Sequence, residues 1–171
     1  MSIDALNLKP DGWFLALLLS GLVALTMGCN DDSNSVVTPS EALFSTTLIL
    51  LDASGQQKDA FRPGEEITFH LKVTNLTSNP QTLMLPSSQI FDCFVMDPAG
   101  VEIWRWSHGQ GFATVLTPLE FAPRQTRDYM EIWDQTDNSG KPVDPGTYDA
   151  SGLIRANAPG LTSNTVRFEN L

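Results

Sequence analysis

Short β-prone segments separated by turn residues dominate most of this chain. The clearest is Ile67–Thr74, in which Ile67, Phe69, Leu71 and Val73 alternate with polar residues. A period of two over eight residues places the apolar side chains on one face of a half-buried strand. The other predicted strands are Phe44–Leu51, Gln81–Leu85, Ile90–Met96, Val101–Trp106, Thr114–Phe121, Arg127–Trp133, Thr147–Ile154 and Thr165–Phe168.

Turn signals recur between these segments at the spacing typical of a β-sandwich, and no long stretch has a helical period. The segment Asp144–Tyr148 (DPGTY) has the D-x-G-x-Y form of a tyrosine corner. Such a corner marks the start of strand F in immunoglobulin-like domains, where the Tyr hydroxyl bonds to backbone upstream. We therefore predict an all-β, immunoglobulin-like antiparallel β-sandwich over residues 43–171. A plain Pro-Gly turn before a strand is the alternative interpretation of the motif.

The N-terminal region has the pattern of an export signal. Trp13–Met27 is almost wholly apolar, too short for a comfortable transmembrane helix but suited to a signal-peptide core. Leu25–Cys29 (LTMGC) resembles a lipobox, in which a small residue precedes an acylated Cys. We predict a lipoprotein signal peptide at 1–28, lipidation of Cys29 and a flexible polar tether at 29–42. An ordinary secretory signal and an uncleaved anchor are the alternatives.

These segments lead us to expect a lipid-anchored, extracytoplasmic protein of the bacterial cell envelope, either periplasmic or at the cell surface. The formal charge of −10 and the lack of a Lys/Arg stripe disfavour nucleic-acid binding. An acidic chain is also repelled by an anionic membrane surface, so we expect membrane contact through the lipid only.

The two cysteines, Cys29 and Cys93, do not suggest a disulfide framework. Cys93 lies in an apolar strand-like segment, so we expect a small buried side chain there.

Catalytic chemistry finds little support in the sequence. A nucleophile needs a base within hydrogen-bonding reach, and the only histidines are His70 and His108. His70 falls on the polar face of its predicted strand, where we expect it to be solvated. Ser107 adjoins His108 in sequence, but neighbouring side chains usually point apart. We therefore predict no catalytic residues, no metal site and no cofactor.

Two local features admit more than one interpretation. The acid-rich segment Asp134–Gly140 lacks the spacing and the closing Glu of a calcium loop, so a solvated turn is favoured over a calcium site. Trp104, Trp106 and Trp133 are interpreted, with Tyr148, as structural residues of the core. An exposed Trp and Arg cluster at a protein interface is the alternative.

Several segments together resemble a known family, the BsuPI type of intracellular proteinase inhibitor. The order and spacing fit over roughly Glu65–Ile154. The resemblance implies an immunoglobulin-like fold and, for founding members, inhibition of a subtilisin-like serine protease. It transfers no reactive-site residues, and the family's intracellular description contrasts with the export signal here. The matching segments are Ser88–Asp92, Asp97–Ser107 (DPAGVEIWRWS), Phe112, Ile132–Asp134, Gly140–Val143 and Pro145–Tyr148.

The favoured function is that of a non-catalytic binding domain, a proteinase inhibitor acting on an extracytoplasmic serine protease. A non-inhibitory interaction module, or an accessory subunit of an envelope complex, is the alternative, and an enzyme is the least favoured. We interpret the segment around Gly109 as a hairpin loop whose glycines allow close backbone approach to a partner. The loop Asp134–Pro145 is the second candidate, because its acids favour association with a basic rim. The candidate partner-binding residues are Ser107, His108, Gly109, Gln110, Gly111, Phe112, Asp134 and Asp137.

Overall fold

A computed structural model describes residues 42–157 and 161–171 of the chain. The predicted signal peptide, Cys29 and the tether up to residue 41 lie outside these described residues. Within them, no helix has the length and apolar character needed to cross a membrane. The strands are β1 (Phe44–Leu51), β2 (Ala60–Phe61), β3 (Ile67–Asn75), β4 (Gln81–Leu85), β5 (Phe91–Met96), β6 (Glu102–Arg105), β7 (Thr117–Phe121), β8 (Thr126–Trp133), β9 (Gly146–Ile154), β10 (Leu161–Thr162) and β11 (Val166–Asn170).

The strands form two main sheets. The first has the order β1-β3-β8 and is antiparallel throughout. The second has the order β2-β11-β9-β5-β6, with β10 also paired to β9. In it, only the short β2 runs parallel to its neighbour, β11. A separate antiparallel pair is made by β4 and β7.

These orders match an immunoglobulin-like sandwich. The strands β1-β3-β8 correspond to A-B-E, and β11-β9-β5-β6 correspond to G-F-C-C′. The predicted tyrosine corner lies at the start of β9, the equivalent of strand F. There the hydroxyl of Tyr148 donates a hydrogen bond to the carbonyl of Asp144 at 2.7 Å. The predicted fold class and the corner are thus confirmed.

The core lies between the two sheets and is filled by the alternate residues that the sequence pattern assigns to it. The apolar positions of β3 are fully buried, as predicted. They face buried residues of β5, β9 and β11, including Val95, Ala150 and Phe168. Trp133 is buried against Phe69 and Phe168, with ring centroids 6.3 and 5.9 Å away. Truncating such a side chain to Ala typically costs about 3–5 kcal/mol.

Several strand boundaries differ from the sequence prediction. The short strands β2 and β10 were not predicted, because two residues are too few to show a period. The predicted strand Thr114–Phe121 begins only at Thr117, and Thr114, Val115 and Leu116 are irregular and exposed. β-branched residues favour strands only where a neighbouring strand provides pairing and packing, and here no named strand pairs with residues 114–116.

The prediction that His70 is solvated is wrong. His70 does lie on the outer face of β3, but it is largely buried. Its Nε2 is 2.7 Å from Oδ1 of Asp128 on β8. Because β3 is the central strand of its sheet, side chains from both neighbours cover this position.

Candidate protein-binding surface

The connection between β6 and β7, residues 106–116, carries most of the predicted partner-binding residues. The sequence predicts a hairpin loop at Ser107–Gly111, and the topology contradicts this. β6 pairs with β5, whereas β7 pairs with β4, so the connection passes from one sheet to another. A hairpin would be held by its own two strands. This segment must instead be held by side chains around it.

The buried carboxylate of Asp92 on β5 holds the start of this connection. It accepts hydrogen bonds from Nη1 of Arg105 and from the hydroxyl of Ser107, both at 2.8 Å. The backbone N–H groups of Cys93 and Ser107 also donate to it, at 3.1 and 3.3 Å. A buried charge is stable only when it is paired and hydrogen-bonded. Ser107 is therefore fixed in place rather than free to contact a partner.

Arg105 links this carboxylate to the outer face of β6. Its guanidinium also bonds to Glu102 and lies over the ring of Phe94, 5.0 Å from the centroid. The hydrogen bond to Glu102, together with Asp92, raises the pKa of Arg105 above its ordinary value. Arg105 faces away from the side of the strand that carries Trp104, which packs on Trp133 instead.

Residues Ser107–Gln110, here called the 107–110 turn, form a tight and well-bonded structure. The N–H of His108 donates to the carbonyl of Arg105 at 3.0 Å, and that of Gln110 donates to Ser107 at 3.1 Å. The side chain of Gln110 donates back to the carbonyl of Trp106 at 2.6 Å. Gly109 has a φ of +73°, which favours glycine. The structure exposes His108, Gly109, Gln110 and Gly111, but on a rigid turn.

Aromatic rings support this turn from the inner side. Trp106 stacks on Phe91 with centroids 4.5 Å apart, and Phe91 also contacts Tyr129 at 5.0 Å. Phe112 returns to pack on Trp106 at 5.9 Å, so it is half-buried and forms part of the support. Trp104 packs on Trp133 at 5.7 Å. The tryptophans therefore pack against the core, in agreement with their structural interpretation.

Cys93 lies below the turn and is a buried thiol, as the sequence predicts. Its carbonyl accepts the N–H of Trp106 at 2.9 Å. Burial, with smaller effects from Asp92 and Glu131, raises the pKa of this thiol to about 12. Because the thiolate is the reactive form, such a thiol is unreactive in the folded protein.

The acid-rich loop uses its carboxylates to organise its own backbone. Oδ1 of Asp137 accepts the hydroxyl of Ser139 at 2.6 Å and the N–H groups of Ser139 and Lys141 at 2.8 and 3.0 Å. The Ser139 hydroxyl, more than the N–H groups, lowers the pKa of Asp137. Asp134 likewise accepts the hydroxyl of Thr136 at 2.7 Å. Among the described residues, no group of three or more His, Cys, Asp or Glu side chains is arranged to hold a metal ion.

The two candidate segments are both attached to β6. Asn138 donates its N–H to the carbonyl of Ile103 at 3.0 Å and accepts the N–H of Arg105 at 2.9 Å through its side chain. The acid-rich loop thus runs beside the strand that leads into the 107–110 turn. Sequence reasoning missed both Asp92 and Asn138. For Asp92 there was a signal, because an acid among apolar strand residues needs a partner when it is buried.

The sequence comparison decides the family. A family model described as "BsuPI: Intracellular proteinase inhibitor" matches residues 55–159. This chain belongs to the BsuPI family. The match spans the 107–110 turn, the acid-rich loop and the tyrosine corner, so the site described above lies inside the BsuPI domain. Among curated proteins, no match is found.

Several solved structures share a distant likeness with the BsuPI domain. The alkylpurine DNA glycosylase AlkC of Pseudomonas fluorescens is 13% identical with a TM-score of 0.44, over 75% of this chain and 30% of that one. The C-terminal domain of wzt is 12% identical with a TM-score of 0.45, over 74% of both chains. Spo0M, a sporulation control protein of Bacillus subtilis, is 13% identical with a TM-score of 0.40, over 74% of this chain and 49% of that one. At these values the likeness does not bear on the function of this chain.

Proposed function

We propose that this BsuPI domain is a non-catalytic inhibitor of an extracytoplasmic serine protease. Membership of a family described as proteinase inhibitors supports the inhibitory function. The choice of surface rests on the hydrogen bonds that Arg105 and Ser107 donate to the buried carboxylate of Asp92, here called the Asp92 network. This network holds the exposed β6–β7 connection on a rigid base. Binding orders the contacting segments at a free-energy cost, and a segment already held in place reduces that cost.

The electrostatics favour a partner with a basic rim. The chain has a formal charge of −10, and Asp134 is exposed on the loop beside β6. Complementary charge accelerates encounter more than it strengthens the final complex. We therefore expect the association rate to fall as salt concentration increases, with a smaller change in the dissociation rate.

Anchoring at the membrane is the second part of the proposal. The apolar segment Trp13–Met27 and the lipobox-like Leu25–Cys29 support export and acylation of Cys29. Replacing Cys29 with Ser should abolish incorporation of a labelled fatty acid in growing cells and block signal cleavage by the lipoprotein route. Labelling that persists in Cys29→Ser would contradict the anchor.

Inhibition is tested by titrating the full chain, purified in mild detergent, against subtilisin-like, chymotrypsin-like and trypsin-like proteases. Substrate cleavage should fall in proportion to added chain for at least one protease, and the chain should remain intact. If none of the three classes is inhibited at micromolar concentration while the chain stays uncleaved, the inhibitory function is wrong.

A second function is favoured by a different surface. On the outer face of the first sheet, Met130 and Ile132 of β8 are exposed large hydrophobic residues, and Ile49 and Leu51 of β1 lie across the same rows of the sheet. No described strand pairs with the outer edge of β8. An apolar patch next to an open edge suits a non-inhibitory module that joins an envelope complex. Replacing Met130 and Ile132 with Lys should then abolish partner capture, while leaving any protease inhibition unchanged.

A further inference from the structure

The second half of the β6–β7 connection, Ala113–Leu116, differs from the first in what it exposes. We call it the 113–116 segment. All of its residues are exposed, and it includes two adjacent large apolar side chains, Val115 and Leu116. Leu116, at 65% exposure, is the most exposed large hydrophobic residue in the described part of the chain. Neither side chain is needed to fill the core.

Both ends of the 113–116 segment are fixed. At one end, Ala113 and Ser88 exchange two hydrogen bonds, from the N–H of Ala113 to the hydroxyl of Ser88 and from the N–H of Ser88 to the carbonyl of Ala113, each at 2.9 Å. At the other end, Thr117 begins β7 and lies opposite the fully buried Leu85 of β4. A short segment fixed at both ends loses little conformational freedom when it binds.

The chemistry of the segment selects one kind of protease. Its side chains are Ala, Thr, Val and Leu, with no Lys or Arg. Serine proteases choose their substrates largely by the S1 pocket, which is apolar in some and carries an Asp in others. Leu116 complements an apolar pocket and would leave a buried Asp unpaired. Within the segment, the N–H of Val115 donates to the carbonyl of Ala113 at 3.0 Å, so the backbone turns at Thr114.

We propose that the 113–116 segment enters the substrate cleft of the target protease, with Leu116 filling an apolar S1 pocket. This inference rests on the proposed inhibitory function. It places the contact with the protease a few residues after the 107–110 turn, whereas the sequence favours the turn itself. The turn and the Asp92 network support the segment, and the acid-rich loop beside β6 steers the approach.

The test is the inhibition constant of the full chain in detergent against a subtilisin-like protease with an apolar S1 pocket and against trypsin, whose S1 pocket carries an Asp. Leu116→Lys should weaken inhibition of the apolar-pocket enzyme by at least about tenfold, since a mismatched S1 side chain loses its pocket. It should also create or strengthen inhibition of trypsin. Because Leu116 is mostly exposed, thermal unfolding should be unchanged.

Val101→Lys is the matched control. Val101 is also exposed and apolar, and it lies in the turn after β5, outside the proposed surface. This variant should inhibit like the parent chain. If the parent inhibits and both Lys variants are equal to it, the 113–116 inference is wrong while the inhibitory function stands. If the parent inhibits neither of these enzymes nor the chymotrypsin-like protease, the inhibitory function is wrong and this inference fails with it.

Discussion

The two halves of the β6–β7 connection are built in opposite ways. The 107–110 turn is held by hydrogen bonds along its length, because Ser107 donates to Asp92 and Gln110 donates to the carbonyls of Trp106 and Ser107. The 113–116 segment is bonded to Ser88 at one end and has a single internal hydrogen bond, from the N–H of Val115 to the carbonyl of Ala113, and its apolar side chains face solvent. The motif that identifies the family therefore provides the support, and the less distinctive sequence after it provides the contact. A conspicuous motif is not necessarily where a partner binds.

The largest effect should come from removing the base of the turn. Asp92→Ala leaves the hydroxyl of Ser107 and one nitrogen of Arg105 without their buried partner. Breaking a buried ion pair on one side costs about 3–5 kcal/mol, and the partial exposure of Arg105 favours the lower end. We expect a loss of about 3 kcal/mol in the free energy of unfolding, measured by urea denaturation.

Asp97→Ala is the control for this prediction. Asp97 also accepts backbone N–H groups, those of Ala99 and Val101, but at an exposed turn where water can replace it. Its removal should cost about 1 kcal/mol or less. If Asp92→Ala and Asp97→Ala lower the free energy of unfolding equally, the Asp92 network does not support the turn.

The tyrosine corner should give the next largest effect. Tyr148→Phe removes the donor to the carbonyl of Asp144, and we expect a loss of about 1–2 kcal/mol. Tyr129→Phe is a matched control, because the buried hydroxyl of Tyr129 has no hydrogen-bond partner among the described residues. It should be neutral or slightly stabilising. Similar melting curves for Tyr148→Phe and the parent chain would show that the hydrogen bond from Tyr148 to Asp144 does not stabilise the domain.

Thiol labelling compares the two regions directly. In a chain carrying Cys29→Ser, Cys93 reports on the base of the turn, and an added Val115→Cys reports on the 113–116 segment. The buried thiol of Cys93, with its pKa raised to about 12, should react only after unfolding. With an unfolding free energy of at least about 5 kcal/mol, its labelling should be on the order of a thousandfold slower than that of Val115→Cys. Comparable labelling rates for Cys93 and Val115→Cys would show that the base of the turn opens as readily as the 113–116 segment.

The smallest effect concerns Glu131, which faces inward beside Cys93. Burial raises the pKa of this carboxyl above its ordinary value of 4.5, and Trp106 partly offsets the shift. The folded protein therefore holds the proton more tightly than the unfolded chain. Stability is highest below pH 4.5 with respect to this group, and it falls as the pH rises through the folded-state pKa.

Replacing Glu131 with Gln should remove that pH dependence. Because the side chain is partly exposed, we expect stabilisation at neutral pH of at most about 0.5 kcal/mol after solvent screening. Glu120→Gln, at an exposed position of β7, is the control for exchanging a carboxylate for an amide and should unfold like the parent chain at neutral pH. A slope of stability against pH that becomes more negative in Glu131→Gln than in the parent chain would contradict the assigned sign.

The sequence predicted the sandwich well because alternation and turn chemistry are local properties. The buried face of β3 and the corner at Tyr148 both follow from spacing alone. The site was harder to predict. Ser107 was expected to contact a partner, but its fixation by Asp92 depends on pairing between β5 and β6, which brings residues fifteen positions apart together. The exposure of Leu116 depends on the absence of a neighbouring strand, which no local pattern reports.

Hydrogen–deuterium exchange of the full chain shows whether the β6–β7 connection contacts a protease. It should be measured alone and with a subtilisin-like protease whose catalytic Ser is replaced by Ala, so that binding occurs without cleavage. We expect new protection across residues 106–117 and unchanged exchange in β8. Protection confined to β8, or no protection anywhere, would contradict the proposed contact.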